Sequence, residues 1–120
     1  MRRAGRKPAL RIMAVPKGAK TLLLIEHDRD APGGDFTHWT VYDIAPGAKT
    51  PIGATGVNEL GRAGYLPACP PKGDKPHRYV FDLYALARRS GLEAGASADD
   101  VIAAVRGAVA RGEAVGRFGR

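Results

Sequence analysis

The chain has 120 residues, enough for one domain that buries a core without needing disulfides or metals as staples. Its hydrophobic fraction of 44% and charged fraction of 26% argue against global disorder, while 16 Gly and 9 Pro exclude a helical bundle or coiled coil. The net charge of +7 comes from residues 1–20, where Arg2, Arg3, Arg6, Lys7, Arg11, Lys17 and Lys20 face no acid, so the remainder is neutral and nucleic acid is not the expected partner. The single cysteine, Cys69, rules out an internal disulfide and any multi-cysteine zinc motif.

Residues 1–7 read as a basic, disordered tail, and residues 8–120 as one domain. Pro8–Val15 offers a first short strand, and Pro16–Lys20 has the Pro and Gly of a turn. Thr21–Glu26 is apolar without alternation, which suits a strand covered on both faces. His27–Asp35 is a polar loop. Phe36–Ile44, rich in aromatic and β-branched residues, is a strong strand. Residues 45–76 are dense in Gly and Pro, with a brief strand expected near Ile52; irregular stretches of that length are usually functional.

His77–Leu86 is the second strong strand. His77, Tyr79, Phe81 and Leu83 share one face and Val80, Tyr84 and Leu86 the other, which places the strand inside a sheet. Only the last quarter is helical: Ser97 is the cap, Asp99 and Asp100 suit the positive end of the dipole, and Gly112 terminates the helix. Val101, Val105 and Val109 form its apolar stripe, widened by Ile102. Glu113–Phe118 returns as a final strand. Strands followed by one helix predict a mostly β domain with a helix packed on it.

Polar groups capable of chemistry fall at strand ends. Asp28 and Asp30 share a direction in an extended segment, as do His77 and Tyr79, and His38 lies in the aromatic strand. The loop 64–73 offers backbone N–H groups to an anion through Ala68, Cys69, Lys72 or Gly73, since its prolines cannot donate. Each residue also has a plain structural role: Asp30 as a turn former, His38 as a satisfied half-buried side chain, Tyr79 as core.

Two long segments carry a resemblance. Asp28-Arg-Asp-Ala-Pro32 followed by Gly33-Gly-Asp-Phe-Thr-His-Trp-Thr-Val-Tyr42, and Cys69-Pro-Pro-Lys-Gly-Asp-Lys-Pro-His-Arg-Tyr-Val-Phe81, resemble the phosphatidylethanolamine-binding protein family, most closely its bacterial and archaeal Raf-kinase-inhibitor-like branch. The likeness runs from about Pro8 to the closing Gly116-Arg-Phe-Gly-Arg120. It implies an antiparallel β-sandwich with a C-terminal helix and a shallow anion pocket for phosphate or a phospho-headgroup. By motif position the ligand-binding residues are Asp28, His38, His77, Tyr79 and Pro32, with Asp30 organising the loop; Ala68 and Cys69 belong to the pocket loop as backbone N–H donors. Three departures stand out: Arg29 replaces the usual Pro between the acids, Leu66-Pro-Ala68 stands where bacterial members have Gly-Gly-Pro, and the N-terminal portion is short. A shortened sandwich leaves a sheet edge or face to cover, for which a homodimer is one remedy.

The expected function is therefore a non-catalytic binding protein for a phosphate-bearing small molecule or a phosphorylated partner group, with no cofactor and no metal. The rival readings are a small hydrolase or metal-dependent enzyme using Asp28, His38 and His77, and polyanion binding through the basic N-terminus. No recognisable nucleophile accompanies the cluster. No apolar run approaches the roughly 18 residues of a membrane span. The basic start is not followed by an apolar stretch, so the expected location is the cytoplasm, with membrane association at most peripheral.

Overall fold

The computed structural model describes residues 10–31, 36–58, 61, 62, 64 and 77–118. Its strands are β1 (Thr21–Asp28), β2 (Phe36–Ile44), β3 (Ala54–Thr55), β4 (His77–Leu86) and β5 (Ala110–Phe118), with one helix, α1 (Ala98–Ala104), before β5. They form a single antiparallel sheet in the order β3-β2-β1-β4-β5. The mostly β, antiparallel domain with a late helix is the one expected; among the described residues all the strands belong to this one sheet.

The apolar run Thr21–Ile25 occupies the centre of the sheet, where both faces are covered. Leu22 and Leu24 join Trp39, Val41, Tyr79 and Phe81 on one face, over which Leu10, Ile12 and Val15 pack. Leu23 and Ile25 join Tyr42, Leu86 and Val101 on the other, beneath α1 and Leu92. Leu23 is fully buried, so its truncation to Ala costs about 2–5 kcal/mol.

Two bulges in β2 decide what reaches each face. Between Leu22↔Ile44 and Leu24↔Val41, β2 advances three residues against two, and Asp43 takes up the excess with φ 55°. Its Oδ1 accepts from the backbone N–H and the hydroxyl of Ser90, which fixes that unusual backbone. Between Glu26↔Trp39 and His27↔Thr37 the extra residue is His38. A bulge turns two neighbouring side chains to nearly the same side, so His38 and Trp39 are both brought to the face of Glu26 and Asp28.

Several boundaries differ from the expectation. Residues 10–15 form no strand: Ala14 turns to φ 56°, and the segment holds to the body through Ile12 N–H donating to Lys49 O at 2.8 Å. β1 continues through His27 and Asp28, which pair with both neighbours, so the loop begins later. The brief strand lies at Ala54–Thr55, and Ile52 is exposed. Ser97 caps α1, its hydroxyl accepting from Asp100 N–H. The helix ends at Val105, because Gly107 at φ 76° turns the chain; Gly112 lies inside β5, and Val109 is exposed rather than part of a helical stripe.

Candidate functional site

The ends of β1, β2 and β4 meet on one face. Asp28 closes β1, pairing with Phe36 on one side and Tyr79 on the other, while His77 opens β4 two residues before Tyr79 and so shares its face. His77 Nδ1 lies 2.7 Å from Asp28 Oδ2, and both residues are buried. The other oxygen, Oδ1, accepts the Asp30 N–H at 2.8 Å, an Asx turn that orients the carboxylate as the chain leaves the strand. A carboxylate on Nδ1 favours the tautomer or charge state that carries a proton there.

The His38 bulge brings its ring edge-on to Tyr79, with centroids 5.2 Å apart, and to Phe36 at the same distance. His77 stacks over Tyr79 at 6.4 Å. Asp28, His38, His77 and Tyr79, predicted as a cluster, are therefore together. Asp30 is turned aside: its carboxylate takes the Arg78 guanidinium at 2.9 and 3.0 Å and the Arg78 N–H at 2.7 Å. These bonds hold its pKa down at about 2. Pro32, Ala68 and Cys69, and the Leu66-Pro-Ala68 departure with them, lie outside the described residues.

Two features were not expected. Glu26, two residues before Asp28 and on its face, is fully buried, and neither carboxyl oxygen has a hydrogen-bond partner among the described residues. Burial first, and the charge of Asp28 second, push its pKa up to about 8. The signal was the parity of positions 26 and 28 at the end of an apolar run. On the opposite face a second histidine–carboxylate pair joins the same strands, His27 Nε2 to Asp82 Oδ2 at 3.0 Å. Arg111 adds an ion pair to Asp82 Oδ1 at 3.3 Å, and Glu113 binds both Arg111 and Arg29. Nothing in the local sequence links residues so far apart.

Among the described residues no group of three or more His, Cys, Asp or Glu stands close enough to hold a metal ion. No helix among them is long and apolar enough to cross a membrane. An apolar groove of about 240 Å³ runs along the Asp28 face between Leu24, Phe81 and Ile12. A basic cavity of about 630 Å³ lies at the far end of the sheet, bordered by Arg88, Arg89 and Arg106.

Comparison with known proteins shows similarity in both sequence and fold. The chain is 40% identical over 119 residues to a UPF0098 protein of Aquifex aeolicus, covering 88% of this chain and 70% of that one. Its structure is similar to the phosphatidylethanolamine-binding protein homolog CT736 of Chlamydia trachomatis, with a TM-score of 0.84 and 33% identity over 92% of this chain and 78% of that one. It is similar also to Escherichia coli YbcL, described as a new member of the mammalian PEBP family, with a TM-score of 0.79 and 31% identity over 88% and 75% of the two chains. The sequence model of the phosphatidylethanolamine-binding proteins matches residues 2–119, in agreement with these likenesses of sequence and fold: the chain belongs to the phosphatidylethanolamine-binding protein family.

Proposed function

We propose that the chain is a non-catalytic binding protein whose Asp28, His38, His77 and Tyr79 take phosphate, free or carried by a small ligand or a partner. The observation that carries this reading is the buried 2.7 Å contact between His77 Nδ1 and Asp28, at a strand end where His38 and Tyr79 converge. A phosphate about 4 Å from the Asp28 carboxylate is repelled by about 4 kcal/mol at an effective dielectric of 20. Protonated His38 and His77 offset that repulsion, or Asp28 and a phosphate oxygen share a proton. Either way the bound state holds an extra proton. Affinity then falls as pH rises through the range where histidine ordinarily titrates, around 6.5. Binding without turnover is the reading we take from the family resemblance; the rival, hydrolysis with His77 as general base oriented by Asp28, uses the same residues. The cytoplasmic location we infer rests on the single cysteine and the lack of a long apolar run in the sequence.

The test is an NMR titration with phosphoethanolamine at pH 6 and pH 8. The wild type is run beside H77A and beside the triple variant R88A/R89A/R106A. Saturable shifts at Asp28, His38, His77 and Tyr79, larger at pH 6 and lost in H77A, support the reading. Shifts lost only in the triple variant would move anion binding to the basic cavity and overturn it. Affinity flat from pH 5.5 to 8 would refute the proton-linked mechanism.

A further inference from the structure

Among the described residues, Glu26 is a buried ionisable side chain that the proposed site does not use and that, unlike Asp82, meets neither a histidine nor an arginine in an ion pair. Glu26 lies in the middle layer of the sheet, paired with Trp39 of β2 and Phe81 of β4, with no exposed surface. Among the described residues both of its oxygens lack hydrogen-bond partners, a cost that an apolar residue of similar size would avoid. A strand needs no acid there for its own stability. Position 26 has the parity of Asp28, so both carboxyls lie on one face of β1, two residues apart along the strand, and the charge of Asp28 acts on Glu26.

We propose that Glu26 is the uncharged acid of the anion site: anions bind while it carries its proton, and its ionisation weakens their binding. The proposal rests on the anion-binding reading above and deepens it.

The groups that face Glu26 show why its charge matters. On its own strand the neighbour is Asp28; β2 brings His38 beside Trp39; β4 brings Tyr79 and His77 beside Phe81. Farther along the same face, Arg11 borders the groove past Phe81; Glu113 is paired with Arg111 and Arg29 of the opposite-face network. A second negative charge behind Asp28 repels an incoming anion through a poorly screened interior. Burial and Asp28 keep that charge off at neutral pH, holding the carboxyl protonated up to about pH 8. By linkage, a bound anion must then hold the Glu26 proton more tightly than the empty site does.

Inorganic phosphate is the probe, because between pH 8 and 9.5 it is a dianion throughout and histidine is already neutral. Its affinity is measured by NMR titration at pH 6.5, 8 and 9.5 on the wild type, on E26Q and on E26L. In parallel, the carboxyl carbon of Glu26 is followed from pH 4 to 10 in wild-type protein with and without saturating phosphate. The expected result is equal affinity in wild type and E26Q at pH 6.5. Between pH 8 and 9.5 the wild type then loses about fourfold, while E26Q and E26L stay flat. The Glu26 midpoint rises by about one pH unit with phosphate bound, a shift whose limiting loss over the whole titration is about tenfold and whose share between pH 8 and 9.5 is that fourfold. Parallel profiles in all three proteins would overturn the role of Glu26 and leave the anion site standing. A Glu26 carboxyl that titrates below pH 5 would do the same without any variant. Absence of phosphate shifts at Asp28 and His77 at every pH would overturn both readings together.

Discussion

Two histidine–carboxylate pairs tie β1 to β4, one on each face of the sheet, and they are mirror arrangements. In one, β1 supplies Asp28 and β4 supplies His77; in the other, β1 supplies His27 and β4 supplies Asp82. Their surroundings differ. Asp82 is met by Arg111, which is met by Glu113, which is met by Arg29, so charge is balanced locally within an ion-pair network. Asp28 is oriented by a backbone N–H, and its neighbours are two histidines, a tyrosine and a buried acid. A pair neutralised by arginine is structural, whereas a pair whose charge depends on protons can respond to a ligand. The same two side-chain types therefore stand in different electrostatic surroundings on the two faces.

The largest expected effect concerns Glu26. Its folded pKa of about 8 lies above the ordinary value of 4.5, so the folded state binds its proton more tightly than the unfolded chain does. Its contribution to stability is fully present below pH 4.5 and is lost as pH rises through about 8. At pH 7 the loss is about 3 kcal/mol, from about 1.4 kcal/mol per pH unit. E26Q should be more stable than wild type by an amount approaching that at pH 7, and indistinguishable from it at pH 4. Urea unfolding at the two pH values reads the difference, and equal midpoints at pH 7 would contradict it.

Exchanging the two histidines sharpens the contrast between the faces. H77A should lower phosphate affinity at pH 6 by at least tenfold, and H27A should leave it within about twofold, read by the same titration. If H27A weakens binding as much as H77A, the division into a responsive and a structural face fails. For stability the expected effect of H27A is about 1 kcal/mol, that of one partly buried hydrogen bond.

The smallest effect lies at the Asp30–Arg78 clamp beside the site. Asp30 has its pKa depressed to about 2, so its contribution is present above the ordinary carboxylate range and is lost as pH falls through about 2. Both partners are well exposed, and solvent screens the pair. D30N should chiefly speed hydrogen exchange at the Arg78 amide, which donates to Asp30, with little change in global unfolding. An unchanged exchange rate would show that β1–β4 pairing alone holds that end of the sheet.

Phe36–Ile44 and His77–Leu86 were legible as strands, end to end, because β-branched and aromatic residues fill them and turn formers bound them. The cap at Ser97 was legible for the same local reason. Asp28, His38, His77 and Tyr79 were singled out by parity, strand-end placement and resemblance; their contact distances were not in the sequence. The helix was read too long, since Val101, Val105 and Val109 keep a helical spacing that Gly107 interrupts with a left-handed turn. The first strand was read in a segment that, over residues 10–15, joins no strand: Leu10, Ile12 and Val15 pack on the sheet face and Ile12 N–H donates to Lys49 O.

What the sequence determined by itself is local: where the chain extends, where it turns, where a helix begins, and which family its motifs fit. Tertiary structure decided which of these groups meet. Pairing of β1 with β4 set Asp28 against His77 across 49 residues and His27 against Asp82 across 55. A single extra residue in β2 turned His38 to the same face. Burial, a property of the packed sheet alone, made an ordinary glutamate at position 26 an acid that keeps its proton at neutral pH. Backbone preference acts over a few residues and is written in them; desolvation and charge pairing depend on neighbours that only folding brings near.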